Sequence, residues 1–539
     1  MRLISFLLHC FRRYPKDQAL IPLLNRFPRI SERSSKHKSS SLILVQCVED
    51  VCFLGLFTSC ISDLSKRLPL RCEFFVSRSI NGAWGVNLRS WILRSYICSG
   101  WISQQWIRVY KQLMLGRVGY RSISWGHPWL DLRALVGAWS IWRKQVDLAH
   151  IENLKRNGVV VGDLVIDTYL RFRPAPTVRL SDPFLFYILW QTLRDVFRAD
   201  QYFSTRKPKL YLTSYTTYIQ HGIAVRMALK HGTPVICLGN LQQLGKCLTL
   251  TDYFHTKDPR FYRTNFIRLK NTQSVIEEAR KNLEVRLSGG VDEATAYMVA
   301  SAYRNESVQA ELGVAGAVII FLHDFFDSPH AYADLVFPDF WTWACCTIET
   351  LAETGKPFAV KPHPNQRVES AEVVEHLKKI YPQVNFLSSS VSNAILVAEG
   401  ICAGVSMHGT VIHELAYLGV PSIGCSRHPH VAFDFCTTAS NRKEYIDLLR
   451  CAHSMHFSCL ETIRHQVLMF YAMHNLSGDK VERNARAALV EYWKSCGANS
   501  IDYIDIDKNL IELNTSAGFS RLIDRLEHLV VFGRDTVEL

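Results

Sequence analysis

No stretch of this 539-residue chain stays apolar for the roughly 18–20 uninterrupted positions a spanning helix needs, so helical membrane insertion is not expected. The start, MRLISFLLHCFRRYPK, holds a short apolar run, but Arg12 and Arg13 close it and no small-residue cleavage site follows. No signal peptide is expected, and the chain is read as cytoplasmic. Its 16 cysteines include no CxxC pair and no repeated framework, which is the pattern of reduced cytosolic thiols. The adjacent Cys345 and Cys346 read as packing residues of a helix. There is no GxSxG elbow, which argues against a serine hydrolase of that type, and no Walker A loop, which argues against ATP-driven chemistry. Acidic residues are in deficit: 49 Asp and Glu against 62 Lys and Arg leave a net charge of +13, with a pI near 9.0. That balance favours anionic partners such as a nucleotide, an acidic glycan or a membrane surface. No nucleic-acid recognition motif is present, and no nucleic acid is expected.

With 48% hydrophobic residues, the chain can bury a large core, and its length calls for two domains plus extra helices. Residues 1–40 form a basic, Ser-rich tail. Leu3, Ile4, Phe6, Leu7 and Leu8 beside Arg12, Arg13 and Lys16 read either as a mobile tail or as an anchor on an anionic membrane surface. Apolar runs at 41–48, 71–76, 120–125, 209–213 and 234–238 read as strands, with helices at 49–66, 183–203 and 218–231 between them. This β-α-β opening implies an N-terminal Rossmann-like domain. Trp84, Trp91, Trp101 and Trp106 read as core rather than as the lining of an acceptor groove. In GDLVIDTYLRF, Asp163, Asp167 and Arg171 share one helical face. They read equally well as a cap with an i, i+4 ion pair or as functional carboxylates. Residues 240–310 look helical and polar. The expected domains are 1–40, 41–310, 311–496 and a C-terminal extension at 497–539.

The most informative stretch is 355–424. Runs at 358–360, 401–405 and 421–423 look like buried strands of a parallel α/β sheet. Ligands bind such sheets in the crevice beyond the strands' carboxyl ends. There the sequence places Lys361 and His363 after one strand, and Ser406, His408, Gly409 and Thr410 after another. The second loop opens a helix, 411–418, that carries Glu414 near its start. Helix-start amides, small residues and nearby Lys and His describe a phosphate site.

Read with this spacing, KPHP followed by SMHGTVIHELAYLGVP resembles the C-terminal half of a GT-B glycosyltransferase, in particular the bacterial capsule and surface-polysaccharide biosynthesis proteins. FLHDFFDSPHAYADLVFPDFWTW resembles the first strand–loop–helix of that domain, and GDLVIDTYLRF and YIQHGIAVRMALKHGTPV resemble N-domain segments. The matches span roughly residues 160–450. The resemblance implies a GT-B-like α/β fold, two Rossmann-like domains facing a cleft with additional helices. It also implies a nucleotide-sugar donor, a glycan or glycolipid acceptor and no required cofactor. It implies that Glu414 contacts the donor's ribose or sugar.

An activated sugar leaves as a nucleotide, so charge develops on phosphate. The amides at 409–411, with Lys361 and His363, can stabilise that charge without a metal. The acceptor hydroxyl needs a base in inverting transfer, and the candidates are Asp167, His323, Asp324 and Asp327. His323 and His330 with Asp324 and Asp327, or His428 with His430, could instead be metal ligands, but loose His/Asp spacing does not define a zinc site. Two further readings stay open: a nucleotide-sugar epimerase or polyol-phosphate transferase on the same scaffold, and a non-catalytic glycan-assembly subunit.

Overall fold

The computed structural model describes residues 21–30, 40–77, 99–122, 127–144, 147–173, 175–292, 301–303, 312–497 and 503–533. The basic stretches 1–20 and 31–39, Trp84, Trp91 and the side chain of Trp101 lie outside the described residues. Trp106 packs half-buried against the first unit's core. Among the described residues no helix is long and apolar enough to cross a membrane, and every cysteine is free.

The chain forms two compact units, Met1–Arg173 with Leu180–His255 and Asn484–Leu539, and Pro174–Arg179 with Thr256–Arg483. The sequence reading drew one boundary at 310; this division falls at 255/256 instead. The reason lies in side chains a sequence does not pair. Lys257 Nζ donates to the His474 carbonyl at 2.9 Å, and Tyr262 Oη lies 2.7 Å from His474 Nδ1. Tyr262, Phe266, Ile276 and Leu283 share a core with Phe470 and Tyr471. Stretch 256–292 is thereby tied to the second unit. The C-terminal helices Tyr503–Thr515 and Ala517–Phe532, within the expected extension 497–539, belong to the first. Tyr492 Oη donates to the Cys52 carbonyl at 3.1 Å, and Leu522, Ile523 and Leu526 join the core of Phe57 and Phe74.

In the first unit the strands are β1 (Ser41–Gln46), β2 (Leu70–Val76), β3 (Arg117–Arg121), β6 (Leu210–Thr213), β7 (Val235–Asn240) and β8 (Gln243–Leu248). Their order is β3-β2-β1-β6-β7-β8, parallel except for β8, which returns antiparallel to β7. A two-stranded hairpin, β4 (Lys155–Arg156) and β5 (Val159–Val160), lies outside this sheet. The central strands are apolar runs buried on both faces, as a sheet covered by helices on both sides requires. Asp50 caps the helix Val51–Arg67 by accepting the Cys52 and Phe53 amides.

The second unit repeats the plan with β9 (Val318–Phe321), β10 (Phe358–Lys361), β11 (Asn385–Phe386), β12 (Ala403–Val405), β13 (Ser422–Gly424) and β14 (Thr437–Thr438). The order is β11-β10-β9-β12-β13-β14, all parallel. Counted in chain order, each main sheet therefore runs 3-2-1-4-5-6, the Rossmann arrangement. The expected α/β class with two Rossmann-like domains and additional helices is what the structure shows. The two-residue strands β11 and β14 carry too little pattern to be read from sequence.

Candidate functional site in the second unit

In a sheet of this order the crossovers from the first and fourth strands leave in opposite directions, and a crevice opens between their carboxyl ends. Those strands are β9 and β12. Register sets what lines the crevice: Lys361 lies opposite Phe321, and Val405 lies opposite Ile320. Lys361, Phe321 and Ser406 thus end in one row at the sheet's carboxyl edge, and His323 follows two residues after Phe321.

His323 Nε2 lies 3.2 Å from Ser406 Oγ and accepts the His408 amide at 3.4 Å. Its proton therefore sits on Nδ1. The ring stacks on Phe340 with centroids 4.6 Å apart and meets the His408 ring at 4.5 Å. Burial, then the neighbouring His408 and His363, hold His323 well below the usual imidazole range, so it is neutral. The Ser406 hydroxyl also lies 3.0 Å from the His408 carbonyl and fixes the turn into the next helix.

That turn is held by Gly409, at φ +142, where side chains are rarely tolerated. The helix Val411–Leu418 follows and ends at Gly419, left-handed at φ +95, before the turn to Pro421. Among the described residues the amides of Gly409, Thr410 and Val411 donate to nothing. They are the orphan donors of a helix start, carrying its positive end.

Lys361 is 2% exposed. Its ammonium makes no hydrogen bond or ion pair among the described residues. Burial pulls it down to about 8, opposed by the charge of Glu414. That carboxylate is already engaged: Arg286 Nε donates to Glu414 Oε1 at 2.5 Å, and Arg286 Nη2 donates to Thr410 Oγ1 at 3.2 Å. Burial alone would raise Glu414, but Arg286 outweighs it and the carboxyl sits below its usual range. Arg286 is the residue the sequence reading missed. It lies on the helix Thr272–Leu287, far from the motif and in a polar stretch, and no sequence signal sets it apart from a surface arginine.

His363 is half-buried beyond Lys361, and its Nδ1 accepts the Asn365 amide at 3.2 Å. Burial lowers it, with Asp324 working the other way. Asp324 spends both oxygens on loop geometry. Oδ1 accepts the Phe326 amide and the Ser370 hydroxyl, and Oδ2 accepts the Arg367 amide at 3.4 Å. Asp327 is exposed and accepts the Ser328 amide at 2.9 Å. Asp167 is buried in the first unit on the helix Gly162–Phe172. Beside it, Asp163 does not cap that helix but accepts Arg226 through both oxygens, at 2.6 and 2.5 Å.

The second unit therefore brings together Lys361, His363, Ser406, His408, Gly409, Thr410, Glu414 and His323 around the β9/β12 crevice. Among the described residues no group of three His, Cys, Asp or Glu side chains could hold a metal. His428 and His430 instead meet each other as tilted rings, with centroids 4.0 Å apart.

What fold and site define together is a pair of Rossmann-like sheets whose second member presents unspent cationic and amide donors at its switch point. No family model matches the chain, and no curated protein sequence matches it. Solved structures similar to it include UDP-GlcNAc 2-epimerase of Methanocaldococcus jannaschii in complex with UDP-GlcNAc and UDP, at 11% identity over 79% of this chain and 98% of that one, TM-score 0.26. A Streptomyces glycosyltransferase complexed with thymidine diphosphate is 12% identical over 80% of this chain and 96% of that one, TM-score 0.21. MurG of Acinetobacter baumannii is 10% identical over 81% and 94%, TM-score 0.20. At these scores the likenesses carry no argument, and the chemistry of the crevice has to.

Proposed function

We propose that this chain is a glycosyltransferase that uses a nucleotide-activated sugar, with the donor's diphosphate held in the β9/β12 crevice of the second unit. The observation that carries this reading is Lys361: a nearly buried ammonium with no partner among the described residues, at the same sheet edge as three open helix-start amides. Burying a charge without a partner is costly, and a bound anion removes that cost. A diphosphate fits both donor types at once, with the amides binding as an anion nest and Lys361 as a point charge. In this reading Glu414, held by Arg286 and Thr410, takes a ribose or sugar hydroxyl of the donor. When the sugar–phosphate bond breaks, its electron pair stays with the departing nucleotide. Lys361 and the amides stabilise that charge. The acceptor's proton goes to a base, for which His323, Asp324, Asp327 and Asp167 are the candidates. Of these, His323 is neutral and Asp324 is engaged on both oxygens. No metal or cofactor is assigned to the step.

In this reading the acceptor is a glycan or glycolipid of capsule or lipopolysaccharide type, built in the cytoplasm at the membrane face. The test is a thermal-shift titration with nucleoside diphosphates and nucleotide sugars, followed by product analysis. A bound nucleotide raises Tm with the logarithm of its concentration. The Lys361→Met protein should show no such rise. If no nucleotide or nucleotide sugar moves Tm, the donor site is misassigned. If the product is an isomerised nucleotide sugar formed without acceptor, the chain is an epimerase instead.

A further inference from the structure

The helix Pro128–Lys144 of the first unit, PWLDLRALVGAWSIWRK, is apolar on both sides. Its inner side is accounted for. Ala134, Ala138 and Ile141 are buried, and a Cβ at Gly137 would meet Leu193 Cδ1 of the neighbouring helix Pro183–Arg206 at 2.8 Å. The outer side is largely uncovered; its one aromatic contact to a neighbouring element among the described residues is Trp139 edge-on to Phe186 of that helix at 5.8 Å. Trp129 is 81% exposed, Val136 61%, Leu132 51% and Trp139 50%. At about 100° per residue, Leu132, Val136, Trp139 and Arg143 fall within an arc of roughly 60°, with Trp129 beside it. An apolar patch with two tryptophans marks an interaction surface.

Charge says what kind of surface. The helix has one carboxylate, Asp131, and it is turned inward, where it accepts Arg194 at 2.9 Å and Arg198 at 2.7 Å. The outward side keeps only cations: Arg133 lies over the Phe197 ring at 4.6 Å, Arg143 over Trp139 at 5.6 Å, and Lys144 is exposed. A second copy of the chain on this face would bring like charges together across a two-fold axis with no carboxylate of the helix to meet them. A bilayer of anionic lipid supplies what the face lacks. Its headgroups meet the arginines and lysine, and its acyl boundary takes Leu132 and Val136. Tryptophans settle at the boundary between the two.

We infer that the outer face of Pro128–Lys144 is a docking surface for an anionic lipid bilayer, with the helix lying in the plane of the interface. This goes beyond the donor-site reading and stands or falls separately from it, because a lipid-binding face needs no nucleotide. The experiment uses the full chain and sedimentation with phosphatidylcholine vesicles containing about 30% phosphatidylglycerol, at low and high salt, against pure phosphatidylcholine. Wild type should bind the anionic vesicles, less at high salt, and should leave the neutral ones. The double variant Trp129→Ser/Trp139→Ser changes only exposed side chains, and its unfolding curve serves as the control for folding. It should bind at least about tenfold more weakly. Arg143→Glu/Lys144→Glu should lose the preference for anionic vesicles. Unchanged vesicle binding in the serine variant would assign the contact elsewhere, the basic N-terminal tail included, and overturn the inference. So would equal binding to neutral vesicles. If sedimentation velocity shows a wild-type dimer that the serine variant converts to monomer, the face covers a second copy and the lipid assignment is wrong.

Discussion

In the first unit, β1 ends in Gln46; in the second, the equivalent strand β9 runs out toward His323. Gln46 Oε1 accepts the Thr213 hydroxyl at 3.0 Å, the Ser214 amide at 3.1 Å and the Ser214 hydroxyl at 3.0 Å. Its Nε2 donates to His221 Nδ1 at 2.7 Å. The amide that opens the next helix, at Ile219, donates to Thr168 Oγ1 at 2.9 Å. Across the β1/β6 crevice these donors are spent on the protein itself. Across the β9/β12 crevice Lys361 and the amides of Gly409, Thr410 and Val411 are, among the described residues, not. One strand order makes a crevice in both sheets. Which of them suits an anion is decided by whether its donors are already used.

Acid should separate the two units most. In the second, His408 and His413 are pushed down to about 4 by burial, and His428 and His430 lie well below the usual range. Their neighbours are largely one another: His413 Nδ1 lies 3.0 Å from His430 Nε2, and the His408 and His428 rings stack. Glu414 and Asp292 oppose the shift at His413, while Arg286 reinforces it. The first unit has His221 and His255, each lowered to about 4. An imidazole titrating below its unfolded value near 6.5 binds fewer protons folded than unfolded. Its stability contribution is therefore intact above 6.5 and lost as pH falls from there toward 4. Each group at about 4 puts up to about 3 kcal/mol at stake. Hydrogen exchange should show Val411–Leu418 and Leu460–His474 losing protection at about pH 5 before Ile219–Lys230 does, after correction for intrinsic rates. The same order of loss in both units, or the reverse, would remove the histidine cluster as the cause.

The next largest effect belongs to the buried pair Arg286–Glu414. Arg286→Met leaves Glu414 charged and uncompensated and should cost about 3–5 kcal/mol, read from denaturant midpoints. Adding Glu414→Leu should recover much of that stability without recovering nucleotide affinity. Full recovery of both would make the pair a structural tie only.

Lys361 has effects of opposite sign on stability and binding. Its folded value near 8 lies below the unfolded 10.4 or so. The native state therefore carries a cost at neutral pH that fades as pH rises from 8 toward 10. Lys361→Met should raise stability by up to about 3 kcal/mol at neutral pH while weakening nucleotide binding or turnover on the order of a hundredfold. A merely structural lysine would lower stability and leave affinity alone. Gln46→Leu in the first unit gives the contrast: lower stability with nucleotide affinity unchanged.

Much of this comparison was legible in the sequence. Short apolar runs ending in Lys361 and before Ser406 place both residues at one sheet edge as soon as the sheet is parallel. Gly409 and Glu414 then follow from the helix that starts there. Convergence from outside the motif was not legible. Arg286 comes from a polar helix some 130 residues earlier, and tertiary packing brings His428 to His408 beside Tyr332 and His430 to His413 beside Phe470. Asp324 looks catalytic in sequence, yet its oxygens hold the loop to Ser370 and Arg367. Hydrogen bonds that consume a carboxylate are tertiary facts, and residue type alone does not carry them.

The smallest expected effect tests the two helix starts against each other. The second unit turns into its helix through Gly409 at φ +142; the first turns through Tyr218 at φ +61, ψ 156. That backbone region is strained for any residue with a Cβ, at on the order of 1–3 kcal/mol. The ring of Tyr218 contributes packing too, since it lies 6.3 Å from Phe172, so tyrosine alone cannot isolate the backbone term. Comparing Gly with Ala at each position does. At 409 the wild type should exceed Gly409→Ala by about 1 kcal/mol, and at 218 Tyr218→Gly should exceed Tyr218→Ala by a similar amount. Function should then divide them. A Cβ at 409 comes within 3.4 Å of His323 Cε1 and stands where a phosphate would approach the amides, so Gly409→Ala should lose more in nucleotide affinity than in stability. The 218 variants should differ in stability alone. Equal nucleotide affinity across all four proteins would mean that the open amides of the second unit bind no phosphate, and the contrast between the two crevices would then be one of packing only.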